Sequence, residues 1–330
     1  MNFEPMPPAS FSHVAVLGAG AWGTALALAG LGAGRKVTLW VREEDVLAEI
    51  RAKRRNPFLP EIVIPEELQV TGDLAAACKA DILLLAVPAQ VLRVFADGLK
   101  PHVAAQKPLV ICAKGIEKKT GRLVTEVVAE SLPQAALSIL SGPSFARDVA
   151  HGLPTAVTIA AKDELAGRLQ AALGSAAFRP YASDDLTGVA LGGAAKNVYA
   201  IACGVVEGMG LGENARAALL ARSFAELSRL GEALGARRET LMGLSGLGDL
   251  VLTATSKSSR NFSHGVALGA GKPPGTDLAE GVDTAPALLA RARAEGVELP
   301  IAEAVAALVA GALSPGEAML KLLSRKVTVE

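Results

Sequence analysis

The first hydrophobic feature of the chain is the run Val14-Ala15-Val16-Leu17, which breaks at Gly18 and gives way to an Ala/Leu stretch reaching about Leu31. A short apolar run, a glycine break and a long stretch of small and aliphatic residues predict strand, turn and helix in that order. Lys36–Val41 follows at the distance expected of a second strand in a βαβ unit. Further runs of strand length lie at Ile82–Val87, Leu109–Ala113, Leu137–Leu140 and Ala156–Ala160, with helix-like stretches such as Gly121–Leu132 and Asp163–Leu173 among them. Continuous apolar strands alternating with helices predict an α/β fold with a doubly wound parallel sheet covered on both faces. From about Asp184 the strand signal ends and long Ala/Leu/Gly-rich helices take over. The pattern therefore divides the chain into a loose tail at 1–12, a Rossmann-type α/β domain at 13–184 and an all-helical domain at 185–330. Asp184 or Asp185 is the expected N-cap of the first long helix.

Composition changes the picture mainly by exclusion. With 330 residues, 51% hydrophobic and 20% charged, the chain is long and apolar enough for two folded domains. Its formal net charge of zero removes any sequence-wide attraction to nucleic acid or to an anionic membrane. No uncharged apolar stretch is as long as a membrane span, so stable membrane insertion is not expected. Met1–Ser12 has neither the basic residues nor the apolar run of a signal peptide, which points to a cytoplasmic location. Cys78, Cys112 and Cys203 stand far apart and form no metal-ligand pattern, as suits reduced thiols and no metal site.

Gly18-Ala19-Gly20-Ala21-Trp22-Gly23 is a GxGxxG motif lying between the first strand and the first helix. Gly18 permits the turn, Gly20 lets a pyrophosphate approach the backbone, and Gly23 lets helix and strand pack closely. The helix N-terminus, beginning near Ala21 and Trp22, faces the phosphates. A glycine-rich turn also occurs for packing alone, but this one opens a βαβ series, the context in which it binds a dinucleotide. The residue after the second strand selects the cofactor, and an acid there favours NADH. This chain has Trp40-Val41-Arg42-Glu43. Arg42 would pair with a 2′-phosphate and tilts the reading to NADPH, while Glu43 and Glu44 keep NADH open.

Ligands of such sheets bind beyond the carboxyl ends of the strands. Ala113-Lys114-Gly115 and Ser141-Gly142-Pro143-Ser144-Phe145 fall at such ends, and Lys114 is placed to meet an anion. In the helical half, Lys196 interrupts the apolar stretch Leu191-Gly192-Gly193-Ala194-Ala195-Lys196-Asn197. A lysine there needs water, a partner or a substrate, because burying it unpaired is costly. Gly243-Leu244-Ser245-Gly246-Leu247-Gly248-Asp249 is a glycine-rich turn delivering an acid, or simply a connection between helices. Ser256-Lys257-Ser258-Ser259-Arg260-Asn261 opens a helix and offers a cradle for a dianion, although an N-cap alone has the same composition.

Six motifs in order resemble the bacterial NAD(P)-dependent glycerol-3-phosphate dehydrogenases. They are GAGAWGTALA at 18–27, AKGIE at 113–117, SGPSFA at 141–146, LGGAAKN at 191–197, GLGDLVLT at 246–253 and SRN at 259–261. The resemblance runs from about Val14 to Arg325 and implies interconversion of dihydroxyacetone phosphate and sn-glycerol 3-phosphate for phospholipid synthesis. It implies that Lys196 is the general acid/base, with Lys114 a second active-site lysine touching substrate and cofactor, and Asp249 their acidic partner. Gly142, Ser144, Asp249, Ser259, Arg260 and Asn261 match substrate-contacting positions. Gly18, Gly20, Ala21, Trp22, Gly23, Arg42, Ala146, Arg260, Leu278 and Glu280 match cofactor contacts. A homodimer is implied as well. Two departures stand out: Leu278-Ala279 replaces paired branched residues, and Phe262-Ser263-His264 follows Asn261 without the further basic residue the family pattern has. A 2-dehydropantoate or β-hydroxyacid dehydrogenase shares the architecture but takes a carboxylate, which the SRN cradle and second lysine disfavour. A non-catalytic dinucleotide sensor would need the glycine loop without Lys114, Lys196 and Asp249.

Overall fold

The computed structural model describes residues 11–275 and 279–324, so nearly all of the tail at 1–12 and the position of Leu278 lie outside the described residues. Eight strands form one sheet: β1 (His13–Leu17), β2 (Lys36–Trp40), β3 (Gln69–Thr71), β4 (Ile82–Leu85), β5 (Pro108–Ile111), β6 (Ala136–Ser141), β7 (Thr155–Ala161) and β8 (Phe178–Ser183). Their spatial order is β3-β2-β1-β4-β5-β6-β7-β8. The order reverses direction between β1 and β4, which creates the switch point where dinucleotides bind in doubly wound sheets. Val14 to Leu17 and Ile82 to Leu85 are buried along their whole length, the reason these strands read as unbroken apolar runs.

The helices in chain order are α1 (Ala21–Gly32), α2 (Glu44–Lys53), α3 (Leu74–Ala77), α4 (Leu92–Leu99), α5 (Val124–Ser131), α6 (Ala146–Ala150) and α7 (Leu165–Leu173). They are followed by α8 (Leu186–Gly208), α9 (Gly212–Ala233), α10 (Arg238–Met242), α11 (Asp249–Thr255), α12 (Arg260–Gly269), α13 (Glu280–Ala294), α14 (Pro300–Val309) and α15 (Pro315–Leu323). Of the two candidate caps for α8, Asp185 is the one used. Its Oδ1 accepts from the Gly188 backbone N–H at 2.7 Å.

The sheet departs from the fully parallel expectation in one place: β7 runs antiparallel to β6, and β8 is parallel to β7. The length of α6 explains the reversal. Its five residues span about 7.5 Å, whereas the six-residue β6 is about 20 Å long. So short a helix cannot carry the chain back to the start of β6, and the next strand begins where β6 ends. Strands β3 and β8 are the edges, and both escaped the hydrophobic pattern. β3 has three residues, and β8 alternates buried Phe178 and Pro180 with exposed Arg179 and Tyr181.

The chain forms two compact units, residues 1–114 with 124–189 and residues 115–123 with 190–330. The first holds the sheet. The second contains most of α8, the helices that follow, and the short hairpin 115–123, closed by an Ile116–Leu123 bridge and seated through Lys118 on Asp283 at 3.1 Å. By length and composition α8 is apolar enough to cross a membrane, although Lys196 interrupts its apolar run. Yet 94% of its most apolar window is buried inside the protein. It is a core helix. The small residues of α8 pack within the same chain: a methyl on Gly204 would stand 2.1 Å from the Phe262 carbonyl oxygen, and one on Gly208 2.2 Å from that of Val266. The three cysteines are free and buried.

Candidate active site

In the first unit the glycine turn leaves β1 at Gly18, whose φ of +116° suits glycine alone. A methyl there would lie 2.8 Å from the Ala86 carbonyl oxygen, at the end of the neighbouring strand β4. A methyl on Gly23 would lie 1.9 Å from the Gly18 carbonyl oxygen, so the third glycine allows α1 to fold back onto the turn. Gly20 differs from both. No atom lies within 4 Å of where its methyl would stand, so packing within the chain does not require glycine there. The open space is wide enough to admit a ligand against the backbone. Gly20 is also the N-cap of α1 and provides no side-chain acceptor, which leaves the first N–H groups of Ala21, Trp22 and Gly23 to an outside partner. These features fit a pyrophosphate. Trp22 packs against the sheet core, and its indole Nε1 is buried with no acceptor among the described residues. Arg42 is 71% exposed and its Nε donates to Glu43 Oε1 at 2.9 Å.

Beyond β5 and β6 the same unit gathers Lys114, Gly142 and Ser144. Lys114 Nζ donates to the Gly142 carbonyl at 3.0 Å, and Ser144 Oγ donates to the same oxygen at 2.9 Å. Gly142 has a φ of +153°, and a methyl on it would stand 2.8 Å from Val157 Cα. The loop is thus pressed onto β7 and clasped by the lysine. Ala146 begins α6 just beyond it.

In the second unit Lys196 is 7% exposed, Asp249 0% and Thr253 2%. Lys196 Nζ donates to Asp249 Oδ1 at 2.7 Å and to Thr253 Oγ1 at 2.9 Å, while Thr253 Oγ1 donates to Asp249 Oδ1 at 3.2 Å. The backbone explains the meeting. Residues Leu244–Gly248 form a π turn, with the Gly248 N–H donating to the Gly243 carbonyl, and α11 begins at Asp249. Gly192 brings α8 against this turn, and Lys196 and Asp249 each lie four residues beyond the two points of contact, Gly192 and Ser245. Four residues is about one helical turn, so the contact carries the lysine and the acid onto facing sides.

Ser259 caps α12, its Oγ accepting from the Phe262 N–H at 3.2 Å. Arg260 is the first residue of that helix, exposed and without a hydrogen-bond or ion-pair partner among the described residues. Asn261 is engaged at both ends of its amide: Nδ2 donates to Asn197 Oδ1 at 2.9 Å and Oδ1 accepts from the Gly281 N–H at 2.8 Å. It therefore ties α12 to α8 and to the start of α13, a structural duty beside its expected place at the substrate. Glu280 opens α13. Two residues of this constellation were not singled out from sequence. Thr253 sits one turn after Asp249 on the same helix face, a spacing that signals the contact. Asn197 follows Lys196 directly, and nothing local marks its role.

Comparison with known proteins identifies the family. The family model described as the N-terminus of NAD-dependent glycerol-3-phosphate dehydrogenase matches residues 13–166, and the one described as its C-terminus matches residues 185–320. A glycerol-3-phosphate dehydrogenase, NAD(P)+, of Afipia carboxidovorans is 56% identical over 97% of this chain and 99% of its own length. The crystal structure of glycerol-3-phosphate dehydrogenase from Coxiella burnetii superposes with a TM-score of 0.91 at 39% identity, covering 96% of this chain and 99% of that one. A ketopantoate reductase of Ralstonia eutropha shares the fold at a TM-score of 0.60 and 19% identity, covering 93% of this chain and 99% of its own. With both halves matched in order and relatives above 50% identity along nearly the whole length, the chain belongs to the NAD-dependent glycerol-3-phosphate dehydrogenase family.

Proposed function

We propose that this chain reduces dihydroxyacetone phosphate to sn-glycerol 3-phosphate with NADPH or NADH, and runs the reverse reaction, supplying glycerol phosphate for phospholipid synthesis. The observation that carries the chemistry is the buried Lys196 Nζ held 2.7 Å from Asp249 Oδ1. A buried ammonium is tolerated only when paired, and a paired lysine at an otherwise apolar helix is suited to proton transfer. The nicotinamide, when bound, supplies the hydride that adds to the ketone carbon. Lys196 delivers the proton from Nζ to the ketone oxygen as negative charge grows there, and in the reverse direction takes it back from the hydroxyl. Asp249 and Thr253 orient Nζ, and Lys114 stabilises the developing oxyanion.

Arg260, with Ser259 and Asn261, binds the substrate phosphate and fixes the ketone for transfer. Gly142 and Ser144 shape the substrate side of the loop that Lys114 clasps. Gly18, Gly20, Ala21, Trp22 and Gly23 receive the pyrophosphate end of the cofactor, and Arg42 its adenosine end. Lys114, Ala146, Arg260, Leu278 and Glu280 complete the cofactor contacts. On this reading residues 13–184 serve the dinucleotide and 185–330 the substrate, in a cytoplasmic homodimer. The deciding experiment follows the loss of dihydronicotinamide absorbance with dihydroxyacetone phosphate, using ketopantoate as the control. Turnover of the phosphate substrate alone supports the assignment. Turnover of ketopantoate alone, or tight cofactor binding with no turnover of either, overturns it.

A further inference from the structure

Asn56 lies in the connection between α2 and β3 and is fully buried. Its Nδ2 donates to the Ala19 carbonyl at 2.8 Å and to Thr24 Oγ1 at 2.7 Å, and its Oδ1 accepts from the Phe58 N–H at 3.0 Å. Both amide hydrogens and the carbonyl oxygen are thereby used, and a buried amide satisfied on every side has one stable orientation. The loop that presents it is braced. Arg54 Nε donates to the Ile64 carbonyl at 3.2 Å, the same guanidinium reaches the Pro65 and Leu68 carbonyls, and Asn56 bridges Leu59. The side chain of Asn56 turns inward, onto the glycine motif.

Ala19 stands between the first two glycines of that motif, and Thr24 stands in the first turn of α1. A trans peptide points its carbonyl and the following N–H in opposite directions. Holding the Ala19 carbonyl on Asn56 therefore turns the Gly20 N–H away from Asn56. A flipped peptide would instead present a carbonyl oxygen, the negative end of the dipole, on the side that an anion approaches. Gly20 has no side chain of its own to hinder such a flip, and a methyl on it would meet no atom within 4 Å. We propose that Asn56 is a positioning residue for the dinucleotide: it locks the Ala19–Gly20 peptide so that the turn offers N–H donors to the pyrophosphate, and it anchors that turn to α1 through Thr24. The inference rests on the dinucleotide reading above and adds to it a residue outside the glycine motif.

The test is a fluorescence titration of NADPH without substrate, on the full chain and on Asn56→Ala, Asn56→Asp and Thr24→Val, with the melting temperature of each free protein measured in parallel. Asn56→Asp keeps the size and the acceptor for Phe58 but replaces the donors to Ala19 and Thr24. Thr24→Val removes a single hydroxyl and keeps the shape. The expected result is a rise of about tenfold or more in the NADPH Kd for the Asn56 variants and a smaller rise for Thr24→Val. The KM for dihydroxyacetone phosphate should move far less than the NADPH Kd. An unchanged Kd in folded Asn56 variants, whatever their melting temperature, overturns the proposal. If those variants do not fold, an unchanged Kd in Thr24→Val overturns it. Failure of the wild-type chain to bind NADPH or NADH at all would instead bring down the dinucleotide reading itself.

Discussion

Gly192 of α8 and Ser245 of the π turn meet backbone to backbone: a methyl on Gly192 would stand 2.5 Å from the Ser245 carbonyl oxygen. That contact sets the spacing of the two elements that carry Lys196 and Asp249. Gly192→Ala should force them apart, with a loss of about 1–3 kcal/mol in stability from overpacking. Turnover should fall with it, because a 2.7 Å hydrogen bond one helical turn away has to stretch. Thermal melting and kcat on the same preparation check this. A variant that is less stable but turns over normally would uncouple the contact from the lysine.

Lys196→Ala should lower kcat by about 10²–10⁴-fold, the range for a lost general acid/base. It also strands Asp249, 0% exposed, without its cation, so unfolding should come at a lower temperature by the equivalent of about 3–5 kcal/mol. Thr253→Val keeps the ion pair and removes the two hydrogen bonds of Thr253 Oγ1, to Lys196 and to Asp249, each worth about 1.5–3 kcal/mol. Its kcat should fall by roughly 10–100-fold. Steady-state kinetics on both variants separates proton transfer from orientation.

Arg260→Ala should raise the KM for dihydroxyacetone phosphate by about 10–100-fold, the worth of a charge-assisted hydrogen bond. An unphosphorylated analogue should be insensitive to the change. Equal effects on both substrates would take the phosphate away from Arg260.

The role proposed for Arg42 sets a 2′-phosphate in competition with Glu43 for its guanidinium. To receive a 2′-phosphate, the guanidinium has to exchange the Glu43 carboxylate for it. Glu43→Gln should therefore increase the NADPH-to-NADH ratio of kcat/KM, and Arg42→Ala should decrease it by about tenfold. The ratios are read from the same assay with either cofactor.

Glu226 gives the helical unit a dependence on pH. Its Oε1 accepts from the Ile301 N–H at 2.6 Å and its Oε2 from the Ala302 N–H at 3.2 Å, capping α14. Burial outweighs these donors and pushes its pKa up from 4.5 to about 7. A carboxyl raised in the folded state binds its proton more tightly there than in the unfolded chain. The stability this provides is complete below pH 4.5 and is lost as pH rises to about 7, an effect of roughly 3 kcal/mol. Melting temperature against pH should fall across that window in the wild type and run flatter in Glu226→Gln.

The glycine turn, the helix lysine and the glycine-rich approach to Asp249 were legible because each breaks a local pattern. Gly18 and Gly23 are demanded by backbone contacts that any side chain would violate, and Lys196 interrupts an apolar helix. Other features depend on length or on partners distant in sequence. The reversal at β7 follows from a five-residue helix whose brevity the run Ala146–Ala150 does not announce. β8 hides behind Arg179 and Pro180, since an edge strand buries only alternate residues. Asn261 is matched to the substrate pocket as the last residue of the SRN motif, and nothing in that motif announces its second duty as a tie between helices. Its partners, Asn197 and Gly281, lie 64 and 20 residues away, where no short-range rule reaches.

The hairpin at 115–123 belongs with the helical unit although the chain on both sides of it belongs with the sheet. Modularity is therefore incomplete in this molecule. A gene cut after residue 184 would yield a nucleotide-binding fragment whose Ile116 and Leu123, 0% and 2% exposed in the whole protein, have lost their lining. Recombination that exchanges only the C-terminal half between relatives has to match the new α13 to the old hairpin, Asp283 to Lys118 first. The hairpin is thus a stretch of the N-terminal half of the sequence that folds as part of the helical unit.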